Sequence, residues 1–556
     1  MKQIVLYIDR LMARSLNNRS QHSSFIFKVS FIFIIMLLLS GCSNPDEDYK
    51  NALQADNITN YQDVLKKYPD HRRAKEARSR LDVLLLEAEK QRLVKLFEQD
   101  DLEVYNKLND GTLEGKIHDA FGWPALFLAA QTCSDQIAAY LIENGSDVNE
   151  RGEDKTTALH IAVRSGCLPV VKLLIENNAD INAWIEPGMR IISFDSKGQY
   201  DPVNSGTEPA AERGTPIRWA AKYDQLEILK FLLEKGADIK AKYTDAEELI
   251  IFGAETGNLE LIKILVEAGA DYSNNYNSPL HHAKSVEVAK YFLENGVAVD
   301  AGDKGDKPIH TASRNANFEV VKFLVEQGAK IDSVNRDRQQ PIHAACQGGN
   351  YDIVTLLVEN GADVNALCSY AVEFSYGDGS SLLSRTNVTP VWIAAKESTP
   401  EIIDFLLGKG GDIQFEANKF GTPLHAAAMA GNPAIINYLI EKGLAVDKKS
   451  AFKLQPIGDT FNEATPLSVA IAYQNFEAVS LLLDNGADIN ATIHENEKNN
   501  WKPLDAAYVV RNKDIVELLL NKGALLTCSY SAIDSLNTTD EIKELMKKHF
   551  ASEQAK

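Results

Sequence analysis

Cysteine is scarce in this chain, with six in 556 residues. That is far below the density of a disulfide-stapled scaffold, so burial of apolar surface must hold the fold. Basic charge is scarce too. Fifty-eight Lys and Arg stand against 78 Asp and Glu, a formal net charge of −20. Such a balance argues against a nucleic-acid groove, which needs a basic stripe, and leaves a basic or neutral protein as the better partner. Long apolar runs are missing except near the front, where Val29 to Leu39 is short for a membrane span. Signatures of chemistry are also missing: the chain has no nucleophile elbow, no paired-carboxylate site and no dinucleotide fingerprint. These absences predict neither a cofactor nor an enzyme.

What the chain has in abundance is self-similarity. Gln340 to Asn365 reads QPIHAACQGGNYDIVTLLVENGADVN. Pro341 opens a first helix, where its missing N–H is harmless. Gly349 and Asn350 break the chain, and a second helix places Ile353, Leu356 and Leu357 on one face. Gly361 ends it in a turn suited to a left-handed backbone. The same turn residue recurs at Gly111, Gly145, Asn178, Gly236, Gly269, Gly296, Gly328, Gly361, Gly410, Gly443, Gly486 and Gly523, and a spacing of 33 residues recurs four times. The unit ending at Gly296 has lost residues between its helices.

This unit resembles the ankyrin repeat, whose pattern is T-P-L-H-x-A-A…G-A-D-V-N. The resemblance implies an all-α repeat solenoid of helix-turn-helix units with β-hairpin fingers. About eleven repeats are expected over residues 118–527, with a helical hairpin and N-cap over 49–117 and a C-terminal cap over 528–556. The hairpin, with Ile58, Tyr61, Val64 and Leu65 on one face and a break at Pro69, resembles tetratricopeptide-like repeats. Solenoids need such caps because an end repeat lacks a neighbour.

The first residues carry Lys2, Arg10, Arg14, Arg19 and Lys28, then the apolar run, then Leu39-Ser40-Gly41-Cys42. A basic flank, a short apolar core and small residues form a secretory signal. The last four resemble the bacterial lipobox, which implies cleavage after residue 41, lipid on Cys42, a polar tether over 42–48 and attachment to the outer membrane facing the periplasm. An uncleaved anchor with an incidental Cys42 is the other reading.

Insertions lengthen three of the joints between repeats: Trp184–Arg213, Cys368–Thr386 and Lys448–Glu463. Each mixes β-formers, aromatics and Gly turn signals, a hairpin pattern. Their aromatics Phe194, Tyr200, Tyr370, Phe374, Tyr376 and Phe452 are candidate contacts with a protein partner, since such side chains dominate interface hot spots. Fingers that merely pack on one another are the other reading. The resemblance also implies that residues after each Ala-Ala pair face a concave binding side: Arg164, Lys222, Tyr223, Arg314, Gln347, Lys396, Met429 and Tyr473.

Five histidines, His160, His281, His310, His343 and His425, each occupy the TPLH position, where the resemblance implies hydrogen bonding within and between repeats rather than metal or base chemistry. Cys346 reads as a small buried residue. Cys133 and Cys167 lie one register apart, and stacked repeats are expected to hold them too far apart for a bridge. The Gly377–Ser381 run reads as a hairpin tip. Together these features predict a monomeric, lipid-anchored envelope protein that binds another protein by surface complementarity, with neutralisation of an incoming toxin or enzyme as the sharpest version. A structural scaffold for envelope assembly, or an enzyme with an unrecognised site in the fingers, are the alternatives.

Overall fold

The computed structural model describes residues 45–108, 117, 121, 123–152, 155–185, 214–240, 246–272, 278–302, 305–375, 381–454, 459–492, 494–495, 500–525 and 538–554. Cys42 and residues 43–44 of the expected 42–48 tether lie outside them, as do Phe194, Tyr200 and Tyr376, whereas residues 45–48 of that span are helical. Among the described residues the chain divides into two units, one up to Asp180 and the other from Ile181 onward.

The first unit begins with three helices, α1 (Pro45–Ala55), α2 (Ile58–Lys67) and α3 (Ala74–Glu98). Asn57 caps α2 by accepting from the Asn60 N–H at 3.0 Å. Tyr49, Ala52, Tyr61, Val64, Ala74 and Ala77 form the core of this bundle. The far end of α3 does something else. Its Leu93, Leu96 and Phe97 are buried, and with α4 (Leu102–Leu108) it packs on the next helix pair, Ala125–Thr132 and Asp135–Glu143. Ser134 Oγ donates to the Phe97 carbonyl at 2.5 Å. The Asp100 carboxylate accepts from the N–H groups of Gln136 and Ile137 at 3.1 and 3.0 Å. One 25-residue helix therefore serves the hairpin at one end and caps the repeats at the other. A further pair, Ala158–Arg164 and Leu168–Glu176, completes the described part of this unit.

Nine pairs follow in the second unit, from Pro216–Lys222 with Leu226–Glu234 to Pro503–Val509 with Lys513–Asn521. Helices of seven to eleven residues are too short to persist alone, so each depends on burying one face against its neighbours. In the reference repeat Ile353, Val354 and Leu357 are fully buried, whereas Leu356 is only half-buried. The inward face thus runs i, i+1, i+4, a one-residue correction to the stripe read from the sequence. The shortened repeat replaces its first α-helix with a single 3-10 turn, Pro279–His282. A C-terminal helix, Asp540–Gln554, buries Ile542 and Met546 and covers the last pair.

Three polar stations stitch neighbouring repeats. At the GADVN turn, Asn365 Oδ1 accepts from the Asp412 N–H at 2.9 Å while its Nδ2 donates to the Gly410 carbonyl at 2.9 Å. At the TPLH station, His343 Nδ1 accepts from its own N-cap N–H (Gln340, 3.0 Å), and Nε2 meets the Ala366 carbonyl at 2.9 Å. His425 repeats this with Thr422 (3.2 Å) and Ala464 (3.1 Å), and His310 with Lys307 (3.1 Å) and Gln339 (2.9 Å). An Nδ1 that accepts a backbone N–H fixes the Nε2–H tautomer. At the inter-helix turn, an Asn reaches back one repeat: Asn258 Nδ2 donates to Asp224 Oδ1 at 2.6 Å, and Asn512 Nδ2 to Gln474 Oε1 at 3.4 Å.

Cys133 and Cys167 occupy that third station, and they are bonded to each other, which corrects the expectation that they stay apart. Cys133 takes the left-handed turn position (φ 60) also adopted by Asp224 and Gln474. Cys167 takes the N-cap position held elsewhere by Asn258 and Asn512. Their Cα atoms are 5.2 Å apart, inside the range a disulfide spans. Repeats stack helix on helix, but their turns approach more closely than the helix axes do. Closing a loop with a sequence separation of 34 should stabilise these two repeats by about 3–4 kcal/mol. Reductant should therefore lower the urea midpoint of the oxidised chain and leave a Cys133→Ser/Cys167→Ser variant unmoved. Equal midpoints for the oxidised and reduced chain would rule the bridge out as a stabiliser.

Hairpins fill two of the lengthened joints. Strand β1 (Cys368–Ser375) pairs antiparallel with β2 (Ser381–Val388), and β3 (Ser450–Leu454) with β4 (Asp459–Ala464). The base of the finger that begins at Trp184 is closed by a bridge between Ile185 and Gly214.

Candidate protein-binding face

The ends of the first helices and the bases of the fingers meet along one face of the second unit. Its central part joins the repeats of Pro341–Gly348 and Pro390–Glu397. Tyr370, on β1, stands edge-on to Trp392 at 5.7 Å. Its hydroxyl donates to Glu397 Oε1 at 2.6 Å. Lys396 Nζ lies 5.6 Å from the Tyr370 ring centroid and pairs with the same carboxylate. Burial pushes the Tyr370 hydroxyl up, and its hydrogen bond to Glu397 adds to the effect. Burial also pushes Glu397 up, but hydrogen bonds from Lys396 and Tyr370 outweigh it and hold the carboxyl below its usual range. At neutral pH the Glu397 carboxyl of this triad is therefore ionised and the Tyr370 hydroxyl keeps its proton, and their hydrogen bond holds both in place.

A second cluster adjoins it. The Arg314 guanidinium donates to Asp306 Oδ2 at 2.5 Å, to Gln339 Oε1 at 3.3 Å and to Gln347 Oε1 at 3.3 Å. Asn335 Nδ2 donates to Asp306 Oδ1 at 2.5 Å. Burial raises the Asp306 carboxyl, and Arg314 and Asn335 bring it below the ordinary value. Groups held this rigidly lose little freedom on binding, which favours recognition.

Tyr370 from the fingers and Lys396 from the helix ends thus come together, but Tyr370 is itself buried, at 6% exposure, so as a partner contact it is corrected: it braces Lys396 and Glu397 from behind. Lys222 Nζ and Tyr223 are likewise neighbours, with Nζ 5.2 Å from the ring. Arg164 and Tyr473 are half-buried at the ends of their first helices. Met429 is buried. Phe374 sits on β1 opposite Leu382. Phe452 is a correction: it is 0 % exposed, packed against Phe420 at 5.4 Å and His425 at 6.1 Å, so it anchors its finger instead of meeting a partner. Asp306, Asn335, Gln339 and Glu397 were missed. Their only sequence signal is a position within one repeat of one of those basic or aromatic residues.

The TPLH station is not always histidine. Arg218 holds it in its repeat, fully buried and paired with Glu248, with its guanidinium 5.2 Å from the Phe252 ring centroid. Trp392 and Asp505 hold it in two others, Trp392 donating through Nε1 to the Gly421 carbonyl at 3.1 Å and Asp505 accepting from the Lys502 N–H at 2.7 Å. Among the described residues no group of three His, Cys, Asp or Glu side chains could hold a metal ion, and no helix is long and apolar enough to cross a membrane.

Comparison with known proteins agrees with this architecture. A family model described as ankyrin repeats (three copies) matches residues 91–183, 217–303, 284–368, 369–450, 391–493 and 448–529. Alpha-latrocrustotoxin-Lt1a of Latrodectus tredecimguttatus is 30% identical over 115 residues, 19% of this chain and 8% of that protein. The ankyrin repeat and KH domain-containing protein mask-1 of Caenorhabditis elegans is 25% identical over 354 residues, 61% of this chain and 12% of that protein. A putative ankyrin repeat protein of Rickettsia felis is 32% identical over 128 residues, 21% of this chain and 44% of that protein. The chain spans less than half the length of each of these curated relatives. The crystal structure of the human ASB11 ankyrin repeat domain is 25% identical, with a TM-score of 0.32, covering 44% of this chain and 98% of that one. With the family model matching most of its length, the chain belongs to the ankyrin-repeat family.

Proposed function

We propose that this chain is a protein-binding module of a bacterial envelope, tethered by lipid on Cys42, which captures a toxin or hydrolytic enzyme in the periplasm and blocks it. The observation that carries the binding part is the Lys396–Glu397 pair, partly exposed and braced by the buried Tyr370 where first helices and fingers converge. Rigid aromatic and charged groups at such a place are the usual anchors of an interface. Two features support the envelope part. The sequence Leu39-Ser40-Gly41-Cys42 follows a basic flank and a short apolar run, and the Cys133–Cys167 bridge suits an oxidising compartment. Partner neutralisation needs no chemistry from this chain, only a surface that covers the partner's own site.

The test is a competition assay between cells that secrete the toxin and recipients lacking this protein. Recipients should die only in the presence of the secreting strain. Wild type should rescue them, whereas Lys396→Glu or Cys42→Ser should not. A growth or permeability defect without any competitor would instead favour a scaffold in envelope assembly.

A further inference from the structure

Three of the eight large apolar side chains that stand exposed among the described residues fall within four positions of α3: Val83 at 46%, Leu85 at 43% and Leu86 at 44%. Both ends of α3 are buried, Ala74 and Ala77 in the hairpin core and Leu93, Leu96 and Phe97 against the repeats. Its middle is bare.

Helical spacing puts Glu76, Arg80, Val83, Glu87 and Lys90 on one stripe, at i, i+4, i+7, i+11 and i+14, with Leu86 beside Val83. The charges along it run minus, plus, apolar, minus, plus. That order is its own complement when reversed. We propose that this stripe of α3 is a homodimer contact, formed with a second copy lying antiparallel about a two-fold axis at Val83. The axis sets Glu76 opposite Lys90 of the copy and Arg80 beside the copy's Glu87, and each pair occurs twice, as an isologous interface requires.

Two further observations fit a second copy. An open groove of about 530 Å³ runs beside the stripe, lined by Leu53, Tyr61 and Val83 together with the polar Asp56, Glu76, Ser79 and Arg80, and gives side chains of the copy a mixed apolar and charged place to enter. Asp56 holds Arg80 through Nε at 2.8 Å and Nη2 at 2.5 Å, which fixes the guanidinium at the stripe's edge while the side chain stays 44% exposed. The acids at positions 76, 82 and 87 argue against the stripe resting in a bilayer. A contact this narrow forms a weak, reversible pair.

Sedimentation equilibrium of the full chain in detergent micelles, at micromolar concentration, tests it. The wild type should approach twice the chain mass, and Leu86→Glu should return it to one chain with an unchanged melting temperature, because Leu86 is exposed. Arg80→Glu should also separate the copies, and adding Glu87→Arg to it should restore them. Restoration distinguishes the contact from damage to the Asp56 pair, which the second change does not touch. Val83→Cys should cross-link to itself on oxidation. A single-chain mass for the wild type, a dimer indifferent to Leu86→Glu, or failure of the restoring change would each overturn the proposal. A single chain that binds phosphatidylethanolamine–phosphatidylglycerol vesicles through Leu86 would also overturn it, in favour of a lipid contact.

Discussion

Acidification from pH 6.5 to pH 4 should remove about 6 kcal/mol of stability from the second unit, through two histidines. Burial holds both His343 and His425 neutral, with their pKa values pushed down to about 4 from the ordinary 6.5. Each imidazole accepts a backbone N–H at Nδ1 and donates at Nε2, so a second ring proton would displace that N–H, although at His425 the Thr422 hydroxyl also lies 2.9 Å from Nδ1. Between the two pKa values the unfolded chain binds more protons than the folded one. Stability is therefore fully present above 6.5 and is lost as pH falls towards 4, after which the histidines contribute no further loss. A drop of 2.5 pKa units corresponds to about 3 kcal/mol per ring. His310 is displaced in the same direction by burial and adds to the loss. The carboxylates act lower on the scale. Asp306 and Glu397 are held below 3.8 and 4.5, so their contribution disappears only as pH falls through those depressed values. Hydrogen exchange of the helices Pro341–Gly348 and Pro423–Ala430 across this range reads the effect locally, which suits a repeat protein whose parts need not unfold together. A His343→Gln/His425→Gln variant should be less stable at pH 8 and much less sensitive between 6.5 and 4. Wild-type sensitivity in that variant would remove the histidines from the account.

Trp392→Ala should cost about 4–5 kcal/mol, the upper part of the range for a buried aromatic. Trp392 is 0 % exposed, so truncation leaves a large cavity between two repeats. It also takes the donor from the Gly421 carbonyl, which Nε1 reaches at 3.1 Å. That carbonyl belongs to a turn with little latitude. Gly421 has φ +64, and a Cβ there would stand 2.6 Å from the His425 ring, so the turn cannot shift inward to recover the contact. Tyr370 loses its edge-on neighbour as well, which should loosen the triad. Chemical denaturation gives the stability change, and partner affinity should fall with it. Trp392→Phe keeps most of the volume without the N–H, and should cost about 1–2 kcal/mol, mainly the unsatisfied carbonyl. An equal cost for the two variants would contradict this division.

Periodicity made most of the repeat architecture legible. Turn residues such as Gly361, the Pro that opens most first helices and the apolar positions between them have strict local reasons, and local reasons can be read one repeat at a time. The hairpins at 368–388 and 450–464 were legible for the same cause, since alternating β-formers flank Gly-rich tips. What escaped depends on neighbours. Phe452 looks like an exposed finger aromatic until the adjoining finger and its Phe420 cover it. Cys133 and Cys167 look like separate turn residues until the turns stack. The Arg314 cluster needs Asp306, Asn335, Gln339 and Gln347 to converge from four points of the chain, and no short window shows that convergence.

Site-directed photo-crosslinking tests the binding face most directly. A photoreactive residue in place of Lys396, a member of the triad, should attach to the captured protein, and one at Lys322, exposed on the second helix Phe318–Glu326 of its repeat, should not. Adducts from position 322 with none from position 396 would contradict the assignment of the binding face.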